Sequence, residues 1–341
     1  LKEFQNYKTD FDIPEIEFLI YFSDSTFNSL RMWLGTFLKS SKKDNFGIVV
    51  RGLKSFREFS SCRVFPISSV DQLDYLFKGL PNLKAILYVA NNKSNPQMIR
   101  NNQYTHIFIG HGDSFKHASA HKVFRLYDEV WTAGDAHIDR FNEIEGDFSS
   151  IKFFKIGQPW LEEYLENIKE KKNEEKINIG YFPTWDGFFG SDNFSSLGEF
   201  NWIYSSIKKI NDKQNAHLFL KLHPRTKKAQ INKIKEIISN NDWVKFADSK
   251  EKLNQVLLNN LKFAIVDNSA ALIEVLYLNI PMFLYVSEGA EYPNFFDQVR
   301  KICYEFSNEE QLIEHLNNVI SNNNDYKNEA RKSFLNYVVD V

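Results

Sequence analysis

Short apolar runs recur along this chain at intervals that leave room for one amphipathic helix between each pair. Residues 17–22 (EFLIYF), 46–51 (FGIVVR), 62–66, 85–89 (AILYV) and 106–109 read as strands. Between the first two, Leu30, Trp33, Leu34, Phe37 and Leu38 recur at helical spacing over residues 28–39. Further helices are expected over 70–79 and over 95–102, the latter opened by an Asn-Pro start signal. A strand at 129–132, a helix to about Asn142 and a strand at 153–156 complete the series. Strands that alternate with helices imply a parallel sheet covered on both sides.

The pattern then breaks and restarts. Residues 163–176 (EYLENIKEKKNEEK) are dense in charge and nearly free of apolar positions, as an interdomain linker would be. A second series follows, with strands at 177–182, 217–222, 244–247, 263–266 and 282–286. Helical patterns at 200–210, 228–239, 250–258 and 270–278 separate them, and amphipathic segments at 309–320 and 326–337 are expected to pack across both domains. The expected architecture is α/β, with two Rossmann-like domains facing across a cleft. The first covers residues 1–160, the linker 161–176 and the second 177–341.

Composition agrees with that organisation and narrows the function. At 341 residues the chain exceeds one ordinary core, so two domains of roughly 150 residues are expected. Hydrophobic residues make up 43%, and 31 are Phe, which excludes disordered and fibrous classes. The 42 basic and 44 acidic residues leave a formal charge of −2, so no basic excess points to nucleic acid. Cys62 and Cys303 stand far apart and form no CxxC pattern, which favours a reduced, cytoplasmic compartment. No apolar run approaches the ~20 residues that span a bilayer, and no signal-peptide pattern opens the chain. The start at Leu1 is consistent with a piece of a longer protein. The DxD at Asp10-Phe11-Asp12 ends in Pro14 ahead of the first strand and reads as loop.

Candidate chemistry gathers at turns that follow strands. The apolar run Ile107-Phe108-Ile109 stops at Gly110, followed by His111, Gly112, Asp113, Ser114 and Lys116 and a helix-like segment. Open α/β sheets place reactive groups at such carboxyl edges, so His111 is the candidate base. In the second domain His223-Pro224-Arg225 follows a strand, suiting a diphosphate or simply an ordinary turn. Asp267-Asn268-Ser269 precedes a helix, offering either an anion site or mere N-capping. Glu274 lies one turn on, fit for ribose hydroxyls or for solvent. The loop that opens with Pro183-Thr184-Trp185 is long for a compact domain, as functional loops are. His117 and His121 have i, i+4 spacing, but no third ligand is obvious, so no metal site is expected. Neither GxxxxGK[ST] nor GxGxxG is present.

Taken in order, His111-Gly112 with Lys116, Pro183-Thr184-Trp185, Leu222-His223-Pro224, and Asp267 with Ser269 and Glu274 resemble the CDP-glycerol glycerophosphotransferase family of teichoic-acid and capsule enzymes. The resemblance runs over about residues 18–285 and implies a GT-B fold. It further implies transfer of a polyol phosphate, of the glycerol- or ribitol-phosphate type, from a CDP-activated donor to a hydroxyl of a surface polymer, with no separate cofactor. By this likeness His111 and His223 are the catalytic residues, the first as base, the second serving the donor phosphates or departing CMP. Thr184, Trp185, Arg225, Asp267, Asn268, Ser269 and Glu274 fall on the donor side, and Gly112, Asp113, Ser114 and Lys116 on the acceptor side. Ala270 stands where family members often carry a second Ser, and Asn268 replaces a usual aromatic. The partners implied are a nucleotide-activated donor and a polysaccharide or polyol-phosphate acceptor, with peripheral association at the inner membrane face open. A GT-B glycosyltransferase using a nucleotide sugar is the alternative, and a non-catalytic acceptor-binding domain is another.

Overall fold

Strands such as FLIYF and INIGYF have no polar face, so each must be covered on both sides. The computed structural model describes residues 15–23, 27–51, 59, 62–116, 119–161, 177–187, 193–239, 241–247, 256 and 260–340. It divides into two units, the first comprising Leu1–His111, His121–Ala133 and Phe141–Trp160, the second Gly112–Ala120, Gly134–Arg140 and Leu161–Val341.

In the first unit, β1 (Phe18–Phe22), β2 (Phe46–Arg51), β3 (Val64–Ile67), β4 (Ala85–Tyr88), β5 (Thr105–Phe108), β6 (Glu129–Thr132) and β7 (Lys152–Lys155) form one sheet. Its order is β3-β2-β1-β4-β5-β6-β7, with every pairing parallel. Helices α1 (Asn28–Lys39), α2 (Val70–Lys78), α3 (Asn95–Ile99) and α4 (Asp135–Glu143) lie between strands. Ser69 caps α2 in a reciprocal capping box with Gln72. Ile20, Phe22, Leu30, Trp33, Ile48, Val50, Leu87 and Ile107 pack into one core, each such side chain contributing about 1.5–3 kcal/mol by leaving water.

The second unit repeats the plan. Strands β8 (Ile177–Phe182), β9 (Ala216–Lys221), β10 (Val244–Ala247), β11 (Leu261–Val266), β12 (Met282–Tyr285) and β13 (Tyr304–Phe306) run in the order β10-β9-β8-β11-β12-β13. All are parallel. Helices α5 (Phe200–Gln214), α6 (Lys228–Ile238), α7 (Ala270–Leu276), α8 (Phe296–Ile302), α9 (Glu309–Leu316) and α10 (Asn328–Val338) cover it. Residues alternate between the faces of β11: Phe263 and Ile265 join one buried cluster with Ile179, Ile203 and Leu218, while Ala264 and Val266 join another with Leu272, Phe296 and Val338. In both sheets the strand order reverses once, between β1 and β4 and between β8 and β11. Open parallel sheets bind ligands outside the carboxyl ends of strands at that reversal.

Several expectations are revised. The helix expected over 95–102 stops at Ile99, and α8 and β13 add elements the hydrophobic pattern did not yield. The residues after His111 do not form the expected helix; the described part is irregular up to His121, which caps a short 3-10 helix, Lys122–Leu126. The charged segment 163–176 and nearly all of 250–258 lie outside the described residues.

Candidate active site

In the first unit, the turn that ends β5 is built around two glycines. Gly110 has φ 65° and Gly112 φ 118°, left-handed conformations that most side chains resist, and the flanking glycines let the chain turn sharply around the histidine. The indole Nε1–H of Trp33, buried on α1, donates to the carbonyl of Gly110 at 2.6 Å and fixes the turn to the core. His111 is exposed, and its Nδ1 lies 2.6 Å from the carbonyl oxygen of Val89, just past β4. A carbonyl only accepts, so Nδ1 carries the proton and Nε2 of the neutral ring holds a lone pair. Any imidazolium formed later keeps the same bond.

In the second unit, the turns after β8, β9 and β11 lie on adjacent strands at the reversal. Asp267, wholly buried at the end of β11, accepts on Oδ2 from the backbone N–H of Thr184 at 2.8 Å and of Ser196 at 3.0 Å. Burial pushes its carboxyl up to about 7, against the pull of those N–H groups and of Lys116. Asn268, equally buried, donates to the carbonyl of Phe115 at 3.2 Å. Asp267 and Asn268, read from the sequence as donor-side residues, also anchor neighbouring loops. Ser269 opens α7 without using its side chain to cap the helix, so capping does not account for its hydroxyl. Glu274, half-buried on α7, is pushed by burial up to about 7, with the charge of Lys221 opposing.

Lys116 reaches from the loop after Gly112 to Thr184 Oγ1, 3.5 Å away, and lies 5.2 Å from the ring centroid of Phe194. On the next strand end, the imidazole of His223 stacks on Trp185 at 6.2 Å between centroids and 26° between planes. The guanidinium of Arg225 lies 5.4 Å from the same indole, a contact worth about 0.5–1 kcal/mol at an exposed position. His223 Nδ1 accepts the backbone N–H of Arg225 at 3.1 Å, so the proton of the neutral ring sits on Nε2. His111 and His223 thus hold opposite tautomers, one offering an acceptor, the other a donor.

Asp113, expected on the acceptor side, is buried and paired with the guanidinium of Arg140, with His137 Nδ1 at 3.9 Å. Burial alone would raise its carboxyl, but Arg140 and then His137 carry it below the usual range. Arg140 in turn lies 5.2 and 5.5 Å from the ring centroids of Phe115 and Phe295. Ser114 donates its N–H to Asp113 Oδ1 at 2.8 Å. Sequence reading did not single out Trp33, Arg140 or Ser196: Trp33 reads as an ordinary core position, and the other two act through partners distant in the chain. Among the described residues no group of three or more His, Cys, Asp or Glu side chains gathers as a metal site. His117 lies outside them.

The family described as CDP-Glycerol:Poly(glycerophosphate) glycerophosphotransferase matches residues 79–340. No curated protein matches the chain. Among solved structures, the wall teichoic acid polymerase TagF is similar at 15% identity and a TM-score of 0.63, over 98% of this chain and 87% of that one. The S. aureus MnaA–UDP co-structure is similar at 10% identity and a TM-score of 0.61, over 93% of this chain and 91% of that one. A UDP-N-acetylglucosamine 2-epimerase from Rickettsia bellii is similar at 14% identity and a TM-score of 0.57, over 95% of this chain and 96% of that one. These likenesses establish the GT-B type of α/β fold.

Proposed function

This chain belongs to the CDP-glycerol:poly(glycerophosphate) glycerophosphotransferase family, and from that premise we propose how its residues divide the chemistry. The enzyme moves a polyol phosphate from a CDP-activated donor to a hydroxyl of a cell-surface polymer. The acceptor oxygen attacks the phosphorus that bears the polyol, the bond from that phosphorus to the bridging oxygen breaks, and CMP leaves with the electron pair. An alcohol is a weak nucleophile near neutral pH, so a base must take its proton as the new bond forms.

His111 is that base, and the observation that carries the reading is its bond to Val89, which leaves Nε2 as the proton acceptor. His223 supplies the Nε2–H that neutralises the departing phosphate, with Arg225, Lys116 and the Ser269 hydroxyl as further donors. Glu274 is proposed for the ribose hydroxyls. Phosphoryl transfer depends mainly on positioning and on such fixed positive groups. Gly112 and Ser114 shape the acceptor side, while Thr184 orders the loop beside Lys116.

The reaction assigns the enzyme to the cytoplasm, with peripheral contact at the membrane that holds the growing polymer. No helix among the described residues is long and apolar enough to cross a membrane. The test is a panel of CDP-glycerol, CDP-ribitol and UDP-sugars followed by nucleotide release in the presence of a polyol-phosphate polymer. Release of CMP from a CDP-polyol is expected, and His111→Ala should lower it by roughly 10²–10⁴-fold. Consumption of a UDP-sugar alone would replace this reading with a glycosyltransferase.

A further inference from the structure

The two strand-end turns beside the proposed phosphate site are joined by contacts the reaction itself does not require. Asp186 follows Trp185, and its carboxylate accepts from Gln230 Nε2 at 2.9 and 3.1 Å, one distance to each oxygen. Lys227 Nζ lies 3.3 Å from the same carboxylate. Gln230 Oε1 accepts the backbone N–H of Lys227 at 3.3 Å, so the Gln230 amide is engaged at both ends and cannot flip without losing both bonds. Trp185 and Asp186 follow β8, while Lys227 and Gln230 lie at the start of α6, after β9, so the tether spans adjacent strand ends.

The tethered residue directly follows Trp185 in the chain. His223 stacks on Trp185 and Arg225 lies over the same ring, while the Arg225 N–H occupies His223 Nδ1. A histidine in a strand-end turn would otherwise sample several rotamers and both neutral tautomers. We propose that Trp185, tethered through Asp186 to Gln230, is a positioning platform that keeps His223 in one ring orientation and as the Nε2–H tautomer. This rests on the reading of His223 as donor to the departing phosphate. In this role Asp186, Gln230 and the indole act through His223. Lys227 is mostly solvent-exposed, so water screens its charge, and the neutral amide bond of Gln230 is the specific part of the tether. A carboxamide at position 186 should therefore serve nearly as well.

The experiment combines kinetics of CMP release from CDP-glycerol with ¹⁵N NMR of histidine-labelled full-length protein, His223→Gln assigning the signal. Wild-type His223 is expected to show the Nε2–H tautomer alone. Trp185→Ala should lower kcat by about 10²-fold and Asp186→Ala or Gln230→Ala by about tenfold, with KM for CDP-glycerol moving less than about threefold. Each should also yield a tautomer mixture at His223. Trp185→Phe and Asp186→Asn should recover most of the rate and the single tautomer. A single unchanged tautomer in Trp185→Ala and Asp186→Ala overturns the platform. If His223→Gln leaves CMP release intact, the role of His223 fails, and the NMR still decides the platform. Deficient His223→Gln with normal Trp185→Ala and Asp186→Ala sinks the platform alone.

Discussion

At the scale of the residue, what prepares His111 is the backbone on either side of it. Gly110 at φ 65° sits where asparagine is tolerated, and the chain itself places Asn215, Asn260 and Asn279 at φ 48° to 51°. Gly112 at φ 118° lies outside even that refuge. Gly110→Asn should therefore keep most activity, whereas Gly110→Val and Gly112→Val should strain the turn by about 1–3 kcal/mol and misplace the imidazole. Thermal melts alongside CMP release check this, and equal rates for Asn and Val at position 110 would refute it. The glycines and His111 were legible in the sequence as a turn after a strand. The tautomer was not, because it depends on the Val89 carbonyl, brought to His111 by the pairing of β4 with β5. The place of Asp113 was equally hidden, since its partner Arg140 lies 27 positions away.

At the scale of the element, most strands were readable because they are short apolar runs a helix length apart, and the helices because their apolar stripes recur on one side. β13 escaped notice because YEF is three residues long. Buried carboxylates at element ends are the other feature that pattern cannot give. Asp267 looks in sequence like a cap or a ligand, yet its folded position is set by amides 83 and 71 residues distant. Burial raises Asp267 and Glu274 to about 7, above the range of an unfolded carboxylate. The folded state therefore binds more protons than the unfolded state between about pH 4 and 7, and these two groups make stability fall as pH rises through that window. Asp113 has the opposite sign, since Arg140 holds it low and its contribution disappears only in stronger acid. Asp267→Asn keeps an acceptor for the Thr184 and Ser196 amides while removing the titration. Urea unfolding at pH 5 and pH 8 should show a smaller loss in the variant than in the wild type, and identical losses would mean that Asp267 does not titrate in this window.

At the scale of the whole molecule, the informative finding is which stretches of chain build the second unit. Hydrophobic periodicity reports elements in chain order, and nothing in it signals that Gly112–Ala120 and Gly134–Arg140 belong with the residues that follow Leu161. The reasons are physical and local to that unit. Phe115 is 2% exposed within the cluster that contains Leu272, Phe296 and Val338, and its ring stacks on Phe334 at 5.7 Å. Arg140 pairs with Asp113, and Tyr337 donates to Asp139 at 2.6 Å. A Cβ on Gly134 would lie 2.6 Å from the Val338 carbonyl oxygen, so only glycine lets that backbone approach. A fragment of residues 161–341 would carry a complete sheet but lack Phe115, Lys116 and the Asp113–Arg140 pair. Losing a buried phenylalanine from a core costs about 3–5 kcal/mol, a large part of a domain's net stability. The fragment should melt well below the full chain and bind CDP more weakly, because Lys116 and the Asn268 contact that orders its loop are both absent. Arg140→Met in the full chain should reproduce part of that loss by leaving Asp113 charged and unpaired, and adding Asp113→Leu should restore stability. Calorimetric melts and CDP titrations measure both effects, and a fragment that matched the full chain in each would show that the two early stretches are dispensable to the unit they pack into.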